Sequence, residues 1–367
     1  IRGKRGTKIT VRLLATGASM SQARNVSLVR DVIQEEDAGV RSRTVELTRD
    51  GTKHVFGVLE IPSFYFDYRS RRAGAEYRSV SEDTAKALES LKAQKVEGIL
   101  IDLRNDPGGS LEEVARMLGQ VIKSGPVVQI RDGNGNVSVY EDTDGGEQLY
   151  AGPMAVLINL ASASASEIYS AAIQDYERGI IIGSTTTGKG TAQVQLDTLA
   201  HGQATLTQRK FYRVTGGSTQ NKGVIPDIKL VDIYNEEFGE RKSKNALKWD
   251  TIPTAPFKRA GSTQPYVAKL SQASAQRTLA DSQFKYLEAR TAINKKSADQ
   301  KKVVLDIDQR RAELMDLEKQ TLAVENQRRV ATGQVPYANW ESYQASIDAL
   351  VESRAKMKAH LRPALPE

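Results

Sequence analysis

The chain reads as an α/β protein with a β-rich beginning and an all-helical C-terminal part. Three observations predict this. Between residues 54 and 183, short apolar runs alternate with helical segments, the pattern of a buried sheet covered by helices. Residues 204–213 (ATLTQRKFYR) alternate at period two, as a half-buried strand does. From about residue 265 onward the sequence is nearly free of glycine, charged and helical in pattern.

Taken in order, residues 9–14 (ITVRLL), 26–33, 43–48 and 54–61 read as strands bounded by Gly, Asn, Asp or Lys. A helix from Glu82 to about Ala93 precedes the apolar strand 98–103 (GILIDL). The turn RNDPGG then leads into a helix at Ser110, where Ser110 and Glu113 spell an S-x-x-E capping box. Strands follow over Val127–Arg131 and Met154–Asn159, then a helix from Ser164 to Tyr176 and the strand 179–183 (GIIIG). Farther on, Val303, Ile307, Arg310, Leu314, Leu317, Thr321 and Val324 keep 4-3 spacing, and five of these seven are apolar. That predicts a long amphipathic helix packed on a partner helix or on the central block. Gly333 and Pro336 end it, and Trp340–Leu361 reads as another helix.

Composition removes several mechanisms. The 367 residues hold 52 Lys+Arg against 45 Asp+Glu, three histidines and no cysteine. Disulfides, a cysteine nucleophile, a thiolate zinc site and iron–sulfur clusters are therefore excluded. His54, His201 and His360 are far apart and form neither HExxH nor HxH, so a histidine metal site or a histidine-based triad has little to build on. Roughly 100–200 residues per domain predicts two or three domains. No run reaches the ~18 apolar residues of a membrane span. The net charge of +7 is dispersed, and the cluster Arg2, Lys4, Arg5 and Lys8 lacks interleaved aromatics, which speaks against nucleic acid.

Three loops that follow apolar strands offer chemistry. Asp106-Pro107-Gly108-Gly109 places two glycines before a helix N-terminus, so backbone N–H groups there suit a phosphate or an oxyanion; alone it also reads as an ordinary Pro-Gly turn. Ser162–Glu167 (SASASE) sets a serine at a strand-to-helix turn, well placed as a nucleophile, although Ser164-x-x-Glu167 is equally a capping box. Gly183–Gly190 (GSTTTGKG) misses the phosphate loop GxxxxGK[ST] by its last residue, and the TAQVQLDTL that follows reads as a strand where a phosphate loop needs a helix. Lys189 has a second use. A lysine titrates near 10.4 in water, but burial beside an apolar strand can lower that by several units, and a neutral lysine can take a proton from a serine hydroxyl. A serine, a lysine and free N–H groups are the parts of acyl transfer.

Five segments occur in a fixed order: FGVLEIPSFY (56–65), ILIDLRNDPGGSLEEV (99–114), SASASEI (162–168), TGKGTAQ (187–193) and FYRVTGGSTQNKGVIPDI (211–228). Together they resemble the tail-specific, or carboxyl-terminal processing, proteases, and within them the bacterial periplasmic Prc (Tsp) type. The likeness covers about residues 1–250, and ALKWDTI (246–252) is similar to that type's join to its C-terminal helical domain. The resemblance implies a crotonase-like (ClpP-type) serine protease core with a β-rich subdomain over 17–240. It further implies the last strand of a PDZ domain in 1–16, cut by the start at Ile1, and a helical domain over 241–367.

By the same resemblance Ser164 is the nucleophile, Lys189 its general base and Gln193 the support of the lysine. The oxyanion hole is the N–H of Ala165 with that of Gly108 or its neighbour Gly109. Glu167 and Asp175 match acidic positions with supporting or structural roles. Two departures stand out: Ser184 where the family has an acid, and Thr187 where it has an aromatic. The resemblance calls for no metal and no organic cofactor. It implies protein substrates with apolar C-terminal tails, a lipoprotein adaptor as a partner, room for an oligomer, and a periplasmic location. A catalytically silent scaffold and a nucleotide-binding protein are the competing classes.

Overall fold

Apolar runs with no polar face must be covered on both sides, and in the computed structural model of this chain they pair with one another inside the molecule. The structure describes residues 3–14, 19–31, 39–141 apart from 73, 75 and 76, then 147–196, 202, 204–233 and 239–360. Strands β1 (Lys8–Leu13) and β2 (Arg24–Val29) pair antiparallel, from Lys8 opposite Val29 to Leu13 opposite Arg24. They belong to a unit of residues 1–39, and residues 40–367 form another. The expected boundary at 16/17 falls inside the first of these units, between the two paired strands. The strand expected over 26–33 ends at Val29, and its residues 32 and 33 lie outside the described residues, as do 1, 2, 15 and 16 of the expected PDZ strand.

In the second unit, β3 (Arg41–Arg49) and β4 (Thr52–Glu60) form a hairpin across Asp50-Gly51. Both turn residues are left-handed, with φ of 51° and 76°, as a two-residue turn matched to strand twist requires. Helices α1 (Tyr68–Arg72) and α2 (Val80–Ala93) follow, then β5 (Gly98–Asp102), α3 (Leu111–Gly119), β6 (Pro126–Asp132) and β7 (Val137–Glu141). Next come β8 (Met154–Ile158), α4 (Ala165–Asp175), β9 (Ile180–Gly183), β10 (Thr191–Leu196), β11 (Ala204–Tyr212) and β12 (Ile228–Lys229). The expected cap at Ser110 forms, the Glu113 N–H donating to Ser110 Oγ at 3.4 Å, and the helix expected from Glu82 starts earlier, at Val80, where Ser79 Oγ accepts the Glu82 N–H at 3.3 Å.

The main sheet has the order β12-β9-β8-β5-β4-β3, parallel except for β3. A second, antiparallel sheet runs β10-β11-β6-β7. Leu59, Ile101, Val156 and Ile181 of the main sheet join Val114, Met117, Ile168 and Ile173 of α3 and α4 in one buried core. Each such side chain contributes about 1.5–3 kcal/mol by leaving water.

Between 241, the expected start of the helical domain, and the next α-helix, the chain runs along the core. Trp249 Nε1 donates to Ser218 O at 2.8 Å, the Ile252 N–H to Gly216 O at 2.9 Å and the Ala255 N–H to Val214 O at 2.8 Å. After a 3-10 turn at Glu240–Lys242, α-helices resume at α5 (Gln264–Ala280), followed by α6 (Ser282–Asp299), α7 (Ile307–Ala331) and α8 (Trp340–His360); Leu361 lies outside the described residues.

The predicted stripe on α7 packs only in part. Val303 precedes the N-cap Asp306, and Ile307 and Leu314 remain 60% and 47% exposed, whereas Thr321 and Glu325 are buried. The reason is register. Arg328 lies over the Tyr286 ring of α6, and fourteen residues back along α7 is Leu314, while fourteen forward from Tyr286 is Gln300, past the end of α6.

Candidate active site

Because β5, β8 and β9 are adjacent and parallel, the loops at their C-terminal ends emerge together at one edge of the main sheet. These are the Asp106–Gly109, Ser162–Ser164 and Ser184–Lys189 loops.

After β8 the chain turns sharply. The Asn159 N–H donates to Ser162 Oγ at 3.0 Å, Ser162 Oγ donates to Leu103 O at 2.8 Å, and the Ala163 N–H donates to Asp106 O at 3.0 Å. Ser164 caps α4 with φ 56° and ψ −110°. A residue with a β-carbon holds that conformation only where its surroundings over-determine it. A strained strand-to-helix turn of this kind stands a serine clear of its neighbours at the head of a helix.

Glu167, fully buried one turn into α4, ties two loops together. Its Oε2 accepts the Ser164 N–H and the Lys189 N–H, both at 2.9 Å. Its Oε1 accepts the Gly188 N–H at 2.7 Å and the Thr186 hydroxyl at 2.5 Å. Burial pushes this carboxyl above its ordinary range, while the four hydrogen bonds pull the other way. Thr187 adds two ties, its N–H to Ser162 O at 3.1 Å and its hydroxyl to Leu160 O at 2.7 Å. The departure from an aromatic at this position thus supplies a cross-loop hydrogen bond. Ser184, in place of an acid, donates to Asp232, where a carboxylate would meet a second carboxylate.

The glycine loop closes on the serine from the other side. A β-carbon on Gly108 (φ 99°) would stand 2.7 Å from Ala163 O and 2.9 Å from both the Ala165 nitrogen and the Ser164 β-carbon. One on Gly109 would stand 2.2 Å from Phe64 O, because Phe64 and Gly109 form a bridge. The Ala165 N–H has no acceptor among the described residues, as expected at the first position of a helix. The Gly108 N–H is different: it donates to Asp106 Oδ1 at 2.7 Å. The Gly109 N–H has no acceptor among the described residues.

Gln193 and Asp175 stand apart from this cluster. A register shift between Ala192 and Gln193 interrupts the β10–β11 ladder; Gln193 is exposed and its amide reaches Thr207 Oγ1 at 3.5 Å, not Lys189. Asp175 closes the far end of α4, about 16 Å from its head. There it pairs with Arg213 at 2.5 Å and ties the helix to the strand end beyond β11. No hydrogen bond joins Ser164 Oγ to Lys189 Nζ among the described residues. The nucleotide-loop alternative loses its main requirement, since GSTTTGKG runs into strand β10 and its last N–H, that of Gly190, donates to Gln220 Oε1 at 2.8 Å.

The sequence profile of peptidase family S41 matches residues 55–230, and that described as the C-terminal domain of tail specific protease matches 233–363. The chain belongs to peptidase family S41. A tail-specific protease of Haemophilus influenzae is 39% identical over 326 residues, 85% of this chain and 44% of its own length. A carboxy-terminal processing protease of Bacillus subtilis is 29% identical over 251 residues, 68% of this chain and 48% of its own length. This S41 chain thus spans about half the length of the curated relatives it matches. Among solved structures, a photosystem II D1 C-terminal processing protease aligns at a TM-score of 0.45 with 27% identity, covering 62% of this chain and 56% of that one.

Three residues at this edge of the sheet carried no role in the sequence. Thr186, besides its bond to Glu167, accepts the Val224 N–H at 2.7 Å on its hydroxyl. Gln220, fully buried, holds Gly190 and donates to Glu240 Oε1 at 3.1 Å. Both join the lysine loop to residues 214–224 (VTGGSTQNKGV), whose glycines and amides were the available signal. The third is Asp106. It is fully buried, its Oδ2 has no partner among the described residues, and burial pushes its carboxyl up to about 7. A raised carboxyl contributes stability that is complete below the ordinary carboxylate range and lost as pH rises to about 7. Gly108→Ala is expected to force the two loops apart and, on the acyl-transfer reading of Ser164, to lower peptide hydrolysis by the full-length protein roughly 100-fold, because a displacement near 1 Å at reacting groups costs that much. Assay of the purified variant on an unfolded protein checks this, and wild-type turnover would refute it.

Proposed function

We propose that this chain is the proteolytic part of a serine endopeptidase that uses a Ser164–Lys189 dyad on periplasmic proteins bearing apolar C-terminal tails. The observation that supports this most is the Glu167 carboxylate, whose Oε2 accepts both the Ser164 N–H and the Lys189 N–H. Ser164 and Lys189 stand 25 positions apart in the chain, and one buried group holds the backbone of both.

In this reading Lys189 Nζ takes the Ser164 Oγ proton as Oγ attacks the scissile carbonyl carbon. The oxyanion receives the Ala165 N–H and a glycine amide from residues 108–109, in a site where Ala165 is already buried. Collapse breaks the C–N bond, and the departing amine takes the proton from the lysine. Water, deprotonated by the same lysine, then releases the acid and restores Ser164. Side-chain rotation on substrate binding closes the dyad, and Gln193 joins the lysine only by leaving Thr207. Residues 1–16 end a PDZ domain that captures tails, a lipoprotein adaptor presents substrates, and no metal or organic cofactor takes part.

The test uses the full-length enzyme carrying this chain and one unfolded protein ending in either an apolar or a charged tail. The apolar-tailed form is expected to be degraded at least about tenfold faster, the value of one buried apolar side chain. Ser164→Ala is expected to degrade neither. Equal rates on both tails would remove tail recognition, and turnover by Ser164→Ala would remove the dyad.

A further inference from the structure

Asp106 is a buried acid at the centre of the site with no role in the reaction just described. Its Oδ1 accepts the Gly108 N–H at 2.7 Å, its Oδ2 has no partner among the described residues, and its backbone oxygen accepts the Ala163 N–H and the Ser166 hydroxyl, both at 3.0 Å. Gly108 itself lies against Ser164 and Ala165 so closely that no β-carbon fits. Among the described residues the Ala165 N–H is therefore free, while Gly108, the one of its two expected partners that lies against Ser164 and Ala165, is held by a carboxyl group beside it.

We infer that Asp106 is a positioning residue that withholds the Gly108 amide, so that the oxyanion hole is completed only when this N–H passes from Asp106 Oδ1 to the substrate oxygen. The inference rests on the acyl-transfer reading of Ser164. A single N–H cannot serve two acceptors at full strength, and 2.7 Å is the length of a strong, charge-assisted bond. The Pro107–Gly108 peptide has the means to swing, since the glycine tolerates a wide range of φ.

A carboxylate grips the amide more tightly than a neutral acid does, so the grip strengthens as Asp106 ionises, about pH 7. The charged groups on the elements packed around it are Asp102 and Arg104, paired at 2.7 Å, with Glu113 of α3, Glu167 of α4 and Lys189. None of them bonds Asp106 among the described residues.

The experiment compares wild type, Asp106→Asn and Ser164→Ala as full-length enzymes on a fluorogenic peptide with an apolar C-terminus, reading kcat/KM from pH 5.5 to 9 (a range set by the titration of about 7). The asparagine has the same shape and no charge at any pH. It is expected to match wild type on the acid side and to exceed it by about five- to tenfold on the alkaline side, the difference between a charged and a neutral hydrogen bond. A profile of unchanged shape, or an Asp106→Asn enzyme slower at every pH, overturns the inference. If Asp106→Asn does not fold, Asp106→Ser takes its place with the same expected change of shape. Turnover by Ser164→Ala would instead strike at the acyl-transfer reading itself.

Discussion

Ser164→Ala and Lys189→Ala are each expected to cut hydrolysis by about 10,000-fold or more without unsettling the fold. The reason lies in which atoms do the structural work. Ser164 and Lys189 are held through their backbone N–H groups, both on Glu167 Oε2, and alanine keeps both bonds. What each substitution removes is a hydroxyl or an amine. Residues that act as a unit lose their effect together, so the double variant is expected to be no slower than either single one. Turnover of an unfolded protein and urea unfolding check both halves of this. Stability within about 1 kcal/mol of wild type is expected, as for a substitution that breaks no buried bond. Retained turnover in either variant would sink the dyad. A large stability loss would instead show that these side chains have a structural part.

Glu167→Ala is the converse: it leaves the serine and the lysine in the chain and removes what aligns them. Three buried backbone N–H groups, of Ser164, Gly188 and Lys189, lose their acceptor, and so does the Thr186 hydroxyl. Each buried donor left unpaired costs about 1–3 kcal/mol, so a loss of at least about 3 kcal/mol is expected in urea unfolding. With the lysine loop released from the serine turn, activity is expected to fall about 100-fold or more even where the protein is still folded. Glu167→Gln keeps the volume but sets an NH2 group against two of the N–H donors, so it is expected to recover packing and not the alignment. An active, stable Glu167→Ala would show that the two loops hold their places without the carboxylate, and that other ties, such as Thr187 to Leu160 and Ser162, suffice.

Much of the fold was legible in advance because its signals are local. The apolar run 98–103, the alternation over 204–213 and the S-x-x-E caps each announce an element through residues a few places apart, and β5, β11 and α3 stand where those patterns put them. The stripe on α7 failed in its first half for an equally definite reason. Its 4-3 spacing specifies a face, but only the length and register of α6 decide how much of that face finds a partner. The join at 246–252 was legible as a motif, whereas its place on the protease core depends on hydrogen bonds to residues 214–218, thirty and more positions earlier.

The residues proposed for chemistry divide in the same way. By itself the sequence determined their types, the strand-to-helix turn that carries Ser164 and the strand that follows Lys189, since composition, caps and period act over one or two turns of chain. Only the tertiary structure decided that β9, β8 and β5 are neighbours, and with them that three distant loops share one edge. It also decided who bonds to whom there: Glu167 to both loops, Asp106 to the Gly108 amide, Gln193 to Thr207 and Asp175 to Arg213. A hydrogen-bond donor has many candidate acceptors in the sequence, and burial leaves it one.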